Sequence, residues 1–310
     1  MRDLGLLGRP TRKAFLALAL MLALSGAAVV SRAAEGGLPA PAAHTDSSPE
    51  WELLRGKLFG ARPIDTTRSR VQLSVPLRAA YGASVPVKIV SLQPQRPEMY
   101  VKKMYVLVDK NPSPLAAVIE LTPLVGQADF ETRLRVDEYS HIRVVAEMSN
   151  GELHMDSRYV KVSGGCSAPP NRDQLHNIGK TVFKLPAGLK LNAPTTADVQ
   201  VVHPNDTGFE LNNVTVMYIP PHFVRSIKVS YAGEKVFDAE LDFSISENPA
   251  LRFNFVPRAE GVLKAEVEDS KEGHYVGSLD VRGHGDSHAV AYPRLCRTHQ
   301  GLRPRRPRWC

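Results

Sequence analysis

One thiol stands where an ordered strand gives way to a run of small residues. In Val160-Lys161-Val162-Ser163-Gly164-Gly165-Cys166-Ser167-Ala168-Pro169-Pro170, an alternating strand ends at Val162, two glycines follow, and then comes the cysteine. Gly164 and Gly165 have no Cβ, so they leave the backbone free and offer no side chain to pack. Buried cysteines behave as small hydrophobes and need packed neighbours on both sides. Here the neighbours are Gly-Gly before and Ser-Ala-Pro-Pro after. The local chemistry predicts an exposed, accessible Cys166 on a mobile arm at the edge of a domain.

That thiol lacks the company a catalyst needs. A catalytic cysteine is activated by a histidine or a helix N-terminus, and the Gly-Gly-Cys segment supplies neither. His141 and His154 lie on strands leading toward the arm and can assist a thiol, although satisfied edge histidines are the commoner case. No glycine-rich phosphate loop joins a strand to a helix, and no His-Glu-x-x-His or Cys-x-x-Cys is present. No serine sits in a nucleophile elbow. His284 and His288 are four apart but fall in a tail expected to be disordered, a poor setting for a metal. The carboxylates of Asp137-Glu138 and Glu266/Glu268 read as solvated surface. What remains is a thiol worked on by other proteins: a carrier, with no enzyme machinery, metal or cofactor of its own.

The elements that must position Cys166 are strands. Pro49 to Phe59 places Trp51, Leu54 and Leu58 on one helical stripe, which predicts a short helix packed on the edge of the strands after it. From about residue 70 the period becomes two. Val71, Leu73, Val75 and Leu77 alternate with polar residues, and Val85, Val87 and Ile89 come next. Lys103 to Asp109 is more continuously apolar. Phe130, Thr132, Leu134 and Val136 alternate with Glu131, Arg133, Arg135 and Asp137, and Ile142, Val144, Ala146 and Met148 share a face. Asn150-Gly151 is a hairpin signal before the strand Leu153–Val162. Residues 167–193 break the pattern and read as a linker. A second alternating set runs through Val199–Val202, Val214–Tyr218, Ile227–Tyr231, Val236–Phe243, Leu251–Val256, Leu263–Val267 and Tyr275–Val281. This spacing predicts an all-β protein: two immunoglobulin- or fibronectin-like β-sandwiches joined by a linker, over 49–166 and 194–283.

The flanks carry an address and most of the charge. A basic patch (Arg9, Arg12, Lys13) precedes an apolar run from Ala14 to Val30 and small residues at Ser31-Arg32-Ala33, which predicts a secretory signal over 1–33. Thr11-Arg12-Lys13-Ala14-Phe15-Leu16 is similar to a twin-arginine signal with Lys13 in place of the second arginine, so the export route stays open. The expected product is exported, with no stable membrane span once the signal is removed. Residues 34–48 read as a flexible leader, and 284–310, rich in arginine and proline, as a disordered basic tail. Of the net charge of +7, the first 33 residues hold +4 and the last 27 hold +5, which leaves −2 for the rest. A near-neutral body gives no argument for nucleic acid. Three cysteines are too few for a disulfide framework. Cys296 and Cys310 can pair with each other, leaving Cys166 odd.

Beyond these patterns, residues 70–166 resemble SoxY, the sulfur-carrying subunit of a bacterial periplasmic thiosulfate-oxidising system. The likeness runs through Lys110-Asn111-Pro112-Ser113-Pro114-Leu115-Ala116, Leu121-Thr122-Pro123, Thr132-Arg133-Leu134-Arg135 and Ala146-Glu147-Met148-Ser149-Asn150-Gly151, and ends on Gly164-Gly165-Cys166. Residues 198–281 resemble its partner SoxZ through His203-Pro204-Asn205-Asp206-Thr207-Gly208, Phe223-Val224 and Ser244 to Phe253. The fusion looks like the SoxYZ-like carriers associated with quinoprotein dehydrogenases. The resemblance implies that Cys166 is the covalent attachment point for a sulfur-containing group, that Gly164 and Gly165 are the arm's hinge, and that the SoxZ-like half pairs with the SoxY-like half. It implies periplasmic partners: Sox-like enzymes, cytochromes c or a quinoprotein dehydrogenase. Two features depart from the family pattern. Ser-Ala-Pro-Pro replaces the Gly-Gly that follows the family's cysteine, and the chain continues, so the arm is tethered at both ends and stiffened on its far side. The alternative reading is a non-covalent accessory protein that docks on a quinoprotein dehydrogenase or cytochrome, with Cys166 vestigial. A thiol redox module fits less well, with no second cysteine beside Cys166.

Overall fold

A computed structural model describes residues 47–282 apart from Asn213. The expected signal, nearly all of the leader, and the basic tail with Cys296, Cys310, His284 and His288 lie outside the described residues.

One helix, α1 (Pro49–Phe59), precedes eight strands: β1 (Ile64–Asp65), β2 (Val71–Ser74), β3 (Val85–Ser91), β4 (Val101–Val108), β5 (Leu115–Leu121), β6 (Phe130–Leu134), β7 (Ser140–Met148) and β8 (Leu153–Val160). The second half adds β9 (Thr181–Lys184), β10 (Thr195–Val201), β11 (Leu211–Asn212), β12 (Met217–Tyr218), β13 (Val224–Tyr231), β14 (Glu234–Leu241), β15 (Ala250–Phe255), β16 (Gly261–Asp269) and β17 (His274–Val281). The all-β class and the sandwich layering are as the alternation predicts. Strands with one face inside, such as β2 and β10, bury every second residue.

The two sandwiches do not stand apart. One sheet runs β1-β8-β7-β4-β5-β14-β13-β16-β17 and the other β2-β3-β6-β15-β10-β9, so each crosses from the first half into the second. The larger seam is β5 against β14, antiparallel from Leu121↔Phe237 to Ala117↔Leu241. The smaller is a single rung, Glu131↔Arg252, between β6 and β15. Between the layers the cores merge. Phe130 meets Phe237 edge-on at 5.4 Å between ring centroids, and Phe237 meets Phe253 at 4.9 Å. Such pairs add about 0.5–1.5 kcal/mol each beyond their area burial.

Three expectations about the strands change. Strand β5, which makes the larger seam, has no counterpart in the predicted set. The expected linker contains β9, which pairs with β10 from Val201↔Thr181 to Asp198↔Lys184. Instead of a strand over Val214–Tyr218, the chain forms a short hairpin whose rungs are Leu211↔Tyr218 and Asn212↔Met217.

Helix α1 begins at Ser48, whose hydroxyl accepts the Trp51 N–H, with Pro49 in the first turn. It packs on the outer face of the larger sheet and not on an edge: Trp51 and Phe59 are buried with Leu107, Val145, Leu153 and Met155, and Leu54 and Leu58 pack against them. A buried ion pair pins its start. The Arg143 guanidinium grips both oxygens of Asp109 at 2.7 to 3.0 Å, the Trp51 ring lies 4.7 Å from the guanidinium carbon, and Ser48 Oγ donates to Asp109. Among the described residues no helix is long and apolar enough to cross a membrane.

Candidate functional site

Beyond β8 the chain runs along the rim of the sandwich to Cys166. Lys161 N–H donates to Leu77 O at 2.9 Å, Gly164 N–H to Asp137 O at 2.8 Å and Gly165 N–H to Val136 O at 3.0 Å. Gly164 takes φ +73°, a left-handed conformation that glycine adopts without strain, and it faces open space. Gly165 is different. A Cβ there would lie 2.4 Å from both Gly82 O and Val136 O. In this conformation Gly165 is a close-packing position, and the backbone freedom expected of it is taken up by neighbouring main chain.

Cys166 is 1% exposed. This corrects the expectation of an accessible thiol. Its N–H donates to Asp137 Oδ1 at 3.2 Å, and its carbonyl accepts from Thr207 Oγ1 of the second half at 2.6 Å. Beneath it lies Arg135, fully buried although the alternation places it on a polar face. Strand β6 ends at Leu134, and the arm and the second half cover the residue that follows. Arg135 Nη1 donates to Gly165 O at 2.9 Å and Ala168 O at 3.0 Å, and Nη2 reaches Asn205 O at 3.4 Å. The counter-charge is Glu210, 3.9 Å away and equally buried, whose carboxylate also receives the Thr207 and Gly208 N–H groups at 3.0 to 3.1 Å. Asn111 ties this knot to both halves: its amide donates to Arg135 O and Ser244 Oγ, and its oxygen accepts from Asp137 N. Arg135, Asn111, Asp137, Thr207 and Glu210 were not among the expected site residues. The second half is more than a passive neighbour, since its loop 205–210 holds the arm shut.

Burial pushes the Cys166 thiol up to about 12, and the Asp137 carboxylate adds to this, while the Arg135 guanidinium opposes it. The stowed thiol is therefore protonated and inert near neutrality. A thiol of pKa 9.0 in the open arm has about a thousandfold more thiolate there. Because the closed state binds its proton more tightly, closure is favoured below pH 9.0 and loses that advantage as pH rises toward 12. Alkylation of Cys166 by iodoacetamide, followed by mass, should climb about tenfold per pH unit straight through 9. A plateau near 9, as an exposed thiol gives, would contradict the closed arm.

The two candidate helper histidines are not at the thiol. His154 sits at the start of β8, 3.6 Å from Glu152, and His141 packs against Tyr159 at 5.0 Å between ring centroids. A different pair gathers under the 203–210 loop. His222 Nε2 lies 3.0 Å and His203 Nε2 3.6 Å from Asp269 Oδ2, a grouping within reach of one metal ion. The hydrogen bonds argue for a structural knot. Asp269 Oδ2 also accepts from Tyr275 at 2.8 Å, and Oδ1 accepts the Lys271 and Gly273 N–H groups at 2.8 Å. His203 Nδ1 accepts the Asn205 N–H at 3.1 Å, so the neutral ring carries its proton on Nε2, the atom a metal would need bare. Burial, together with nearby His222, holds His203 down to about 4, so it is neutral. The knot braces the loop that holds Cys166.

Among the described residues, then, one thiol is gripped at the seam of a two-layer β protein by groups from both halves. The family models match the two halves in turn. Residues 55–166 match the model for "Sulfur oxidation protein SoxY", and residues 183–280 match that for "Sulphur oxidation protein SoxZ". The chain is a SoxY domain fused to a SoxZ domain, and the SoxY match ends on Cys166. Among solved structures it is similar to the sulfur carrier protein SoxY from Chlorobium limicola f thiosulfatophilum, with 25% identity over 38% of this chain and 100% of that one, at a TM-score of 0.32. A β-glycosidase from Bacteroides vulgatus covers 71% of this chain with 25% of its own, at 9% identity and a TM-score of 0.22. No curated protein matches.

Proposed function

We propose that this chain is a periplasmic carrier that covalently holds a sulfur-containing group on Cys166 and presents it to partner enzymes of a Sox-type or quinoprotein-linked pathway. The observation that carries the reading is position: Cys166 closes the SoxY domain and is gripped by the SoxZ domain, so both halves act on one thiol. Joining a thiol to thiosulfate as a disulfide releases one proton and two electrons. A cytochrome c or another electron acceptor would therefore be required at loading. The closed arm stores the empty carrier, and loading demands that Thr207 and Arg135 let go.

The test is intact mass of the mature protein from the cells that make it, before and after mild reduction. A reducible increment on Cys166, absent from Cys166→Ser, supports the carrier and its size identifies the cargo. The burial of Cys166 favours one competing reading, an accessory protein whose thiol is vestigial. An unmodified thiol, with Cys166→Ser fully functional in the cell, would establish that reading instead.

A further inference from the structure

Resting on the carrier reading, we propose that the hairpin Phe209–Tyr218 is the docking element for the enzymes that load or unload Cys166, and that their matching surface is uncharged and apolar. Val214 is 91% exposed, Val216 72% and Met217 67%, and Phe209, Leu211 and Tyr218 are also exposed. Contiguous apolar surface of this kind marks interaction sites. The hairpin's one charged residue, Glu210, is buried on Arg135, so the exposed surface is neutral. Val216, a β-branched residue, is held at φ +55°, a strained conformation for its type that is concentrated at functional sites.

Location ties this surface to the thiol. Thr207, at the hairpin's base, holds the Cys166 carbonyl, and Glu210 within it pairs with the arginine that clamps the arm. On the first half, Leu77, Tyr81 and Tyr139 are also exposed, next to residues that touch the arm. Leu77 O accepts from Lys161, Tyr81 precedes the Gly82 that packs on Gly165, and Tyr139 lies two residues from Asp137. Other occupants fit less well. A second copy seated on this hairpin would lie against the Thr207 loop that holds the arm in both molecules at once. The basic tail, at +5, gains nothing from a neutral hairpin. An enzyme pressing here would bear on Thr207 and Glu210, the residues that hold the arm.

The test compares the full chain with Val214→Asp and Met217→Asp, both at exposed positions. In extract of the source cells freed of its own copy, with thiosulfate added, the mass increment on Cys166 should appear at least tenfold more slowly in the variants. Uncatalysed alkylation by iodoacetamide should stay within twofold. Equal loading rates, or a wild-type dimer that the variants turn into monomers, would overturn the proposal. If the extract loads no variant and no wild type, the carrier reading has failed, and docking is judged alone by a photo-crosslinking residue at 214 against one at 276. A purified partner that crosslinks at 214 and binds the aspartate variants at least tenfold more weakly sustains docking; self-crosslinks or none refute it.

Discussion

Gly165→Ala should expose Cys166 rather than stiffen its tether. An alanine Cβ would meet Gly82 O and Val136 O at 2.4 Å and Val136 N at 2.6 Å, all main-chain atoms that cannot step aside. The arm must lift, giving up the Thr207 bond to Cys166 and the Arg135 bonds to Gly165 and Ala168. The thiol then titrates as an open one, and its alkylation at neutral pH should rise on the order of a hundredfold. Global stability should fall by only about 1–3 kcal/mol, since a few hydrogen bonds are lost and neither sheet is touched. Gly164→Ala is the control. It meets open space, so its cost is the positive φ alone, about 1 kcal/mol, with little change in alkylation. Similar small effects at both glycines would show that they serve only as a hinge.

Arg135→Met should be the most damaging single change at the site. It removes three donors to arm and loop carbonyls and leaves Glu210 charged in a fully buried position. Stranding one partner of a buried pair typically costs about 3–5 kcal/mol. Urea denaturation should show that loss, and hydrogen exchange should show loosening at 164–168 and 205–210 before the sheets open. Glu210→Gln with Arg135→Met should recover part of the stability, because a neutral amide still accepts the Thr207 and Gly208 N–H groups. The double variant should remain as reactive toward iodoacetamide as Arg135→Met. Stability lost with no gain in reactivity would mean that Arg135 braces the seam without controlling the arm.

Much of this was legible in the residues. Alternation marks β2, β3, β10 and β13 because one face of each is inside. The turns at Asn150-Gly151 and Ala232-Gly233 are where the sequence puts them, each with its glycine at positive φ. Strand β5 was not legible: Ala116 and Ala117 are buried in succession, so both faces are covered there and its period is lost. Period two tells which face a residue is on and not what covers that face, which is why Arg135 reads as solvated. Cys166 reads as exposed for the same reason. Its immediate neighbours are small and flexible, and the groups that bury it, Thr207 and Glu210, come from 41 and 44 positions along the chain.

Because both sheets continue across the halves, the covalent connection between Cys166 and β9 is structurally redundant. A protease cutting in the exposed run Asp173–His176 would sever the chain without separating its parts, which stay bound through β5–β14 and the shared core. The fragments should co-elute in native buffer and part only in denaturant. The cut would change the thiol's prospects, however: a loop tied at both ends would become a free terminus ending seven to ten residues past Cys166. One clipped bond would turn a thiol tethered on both sides into one on a free arm of greater reach.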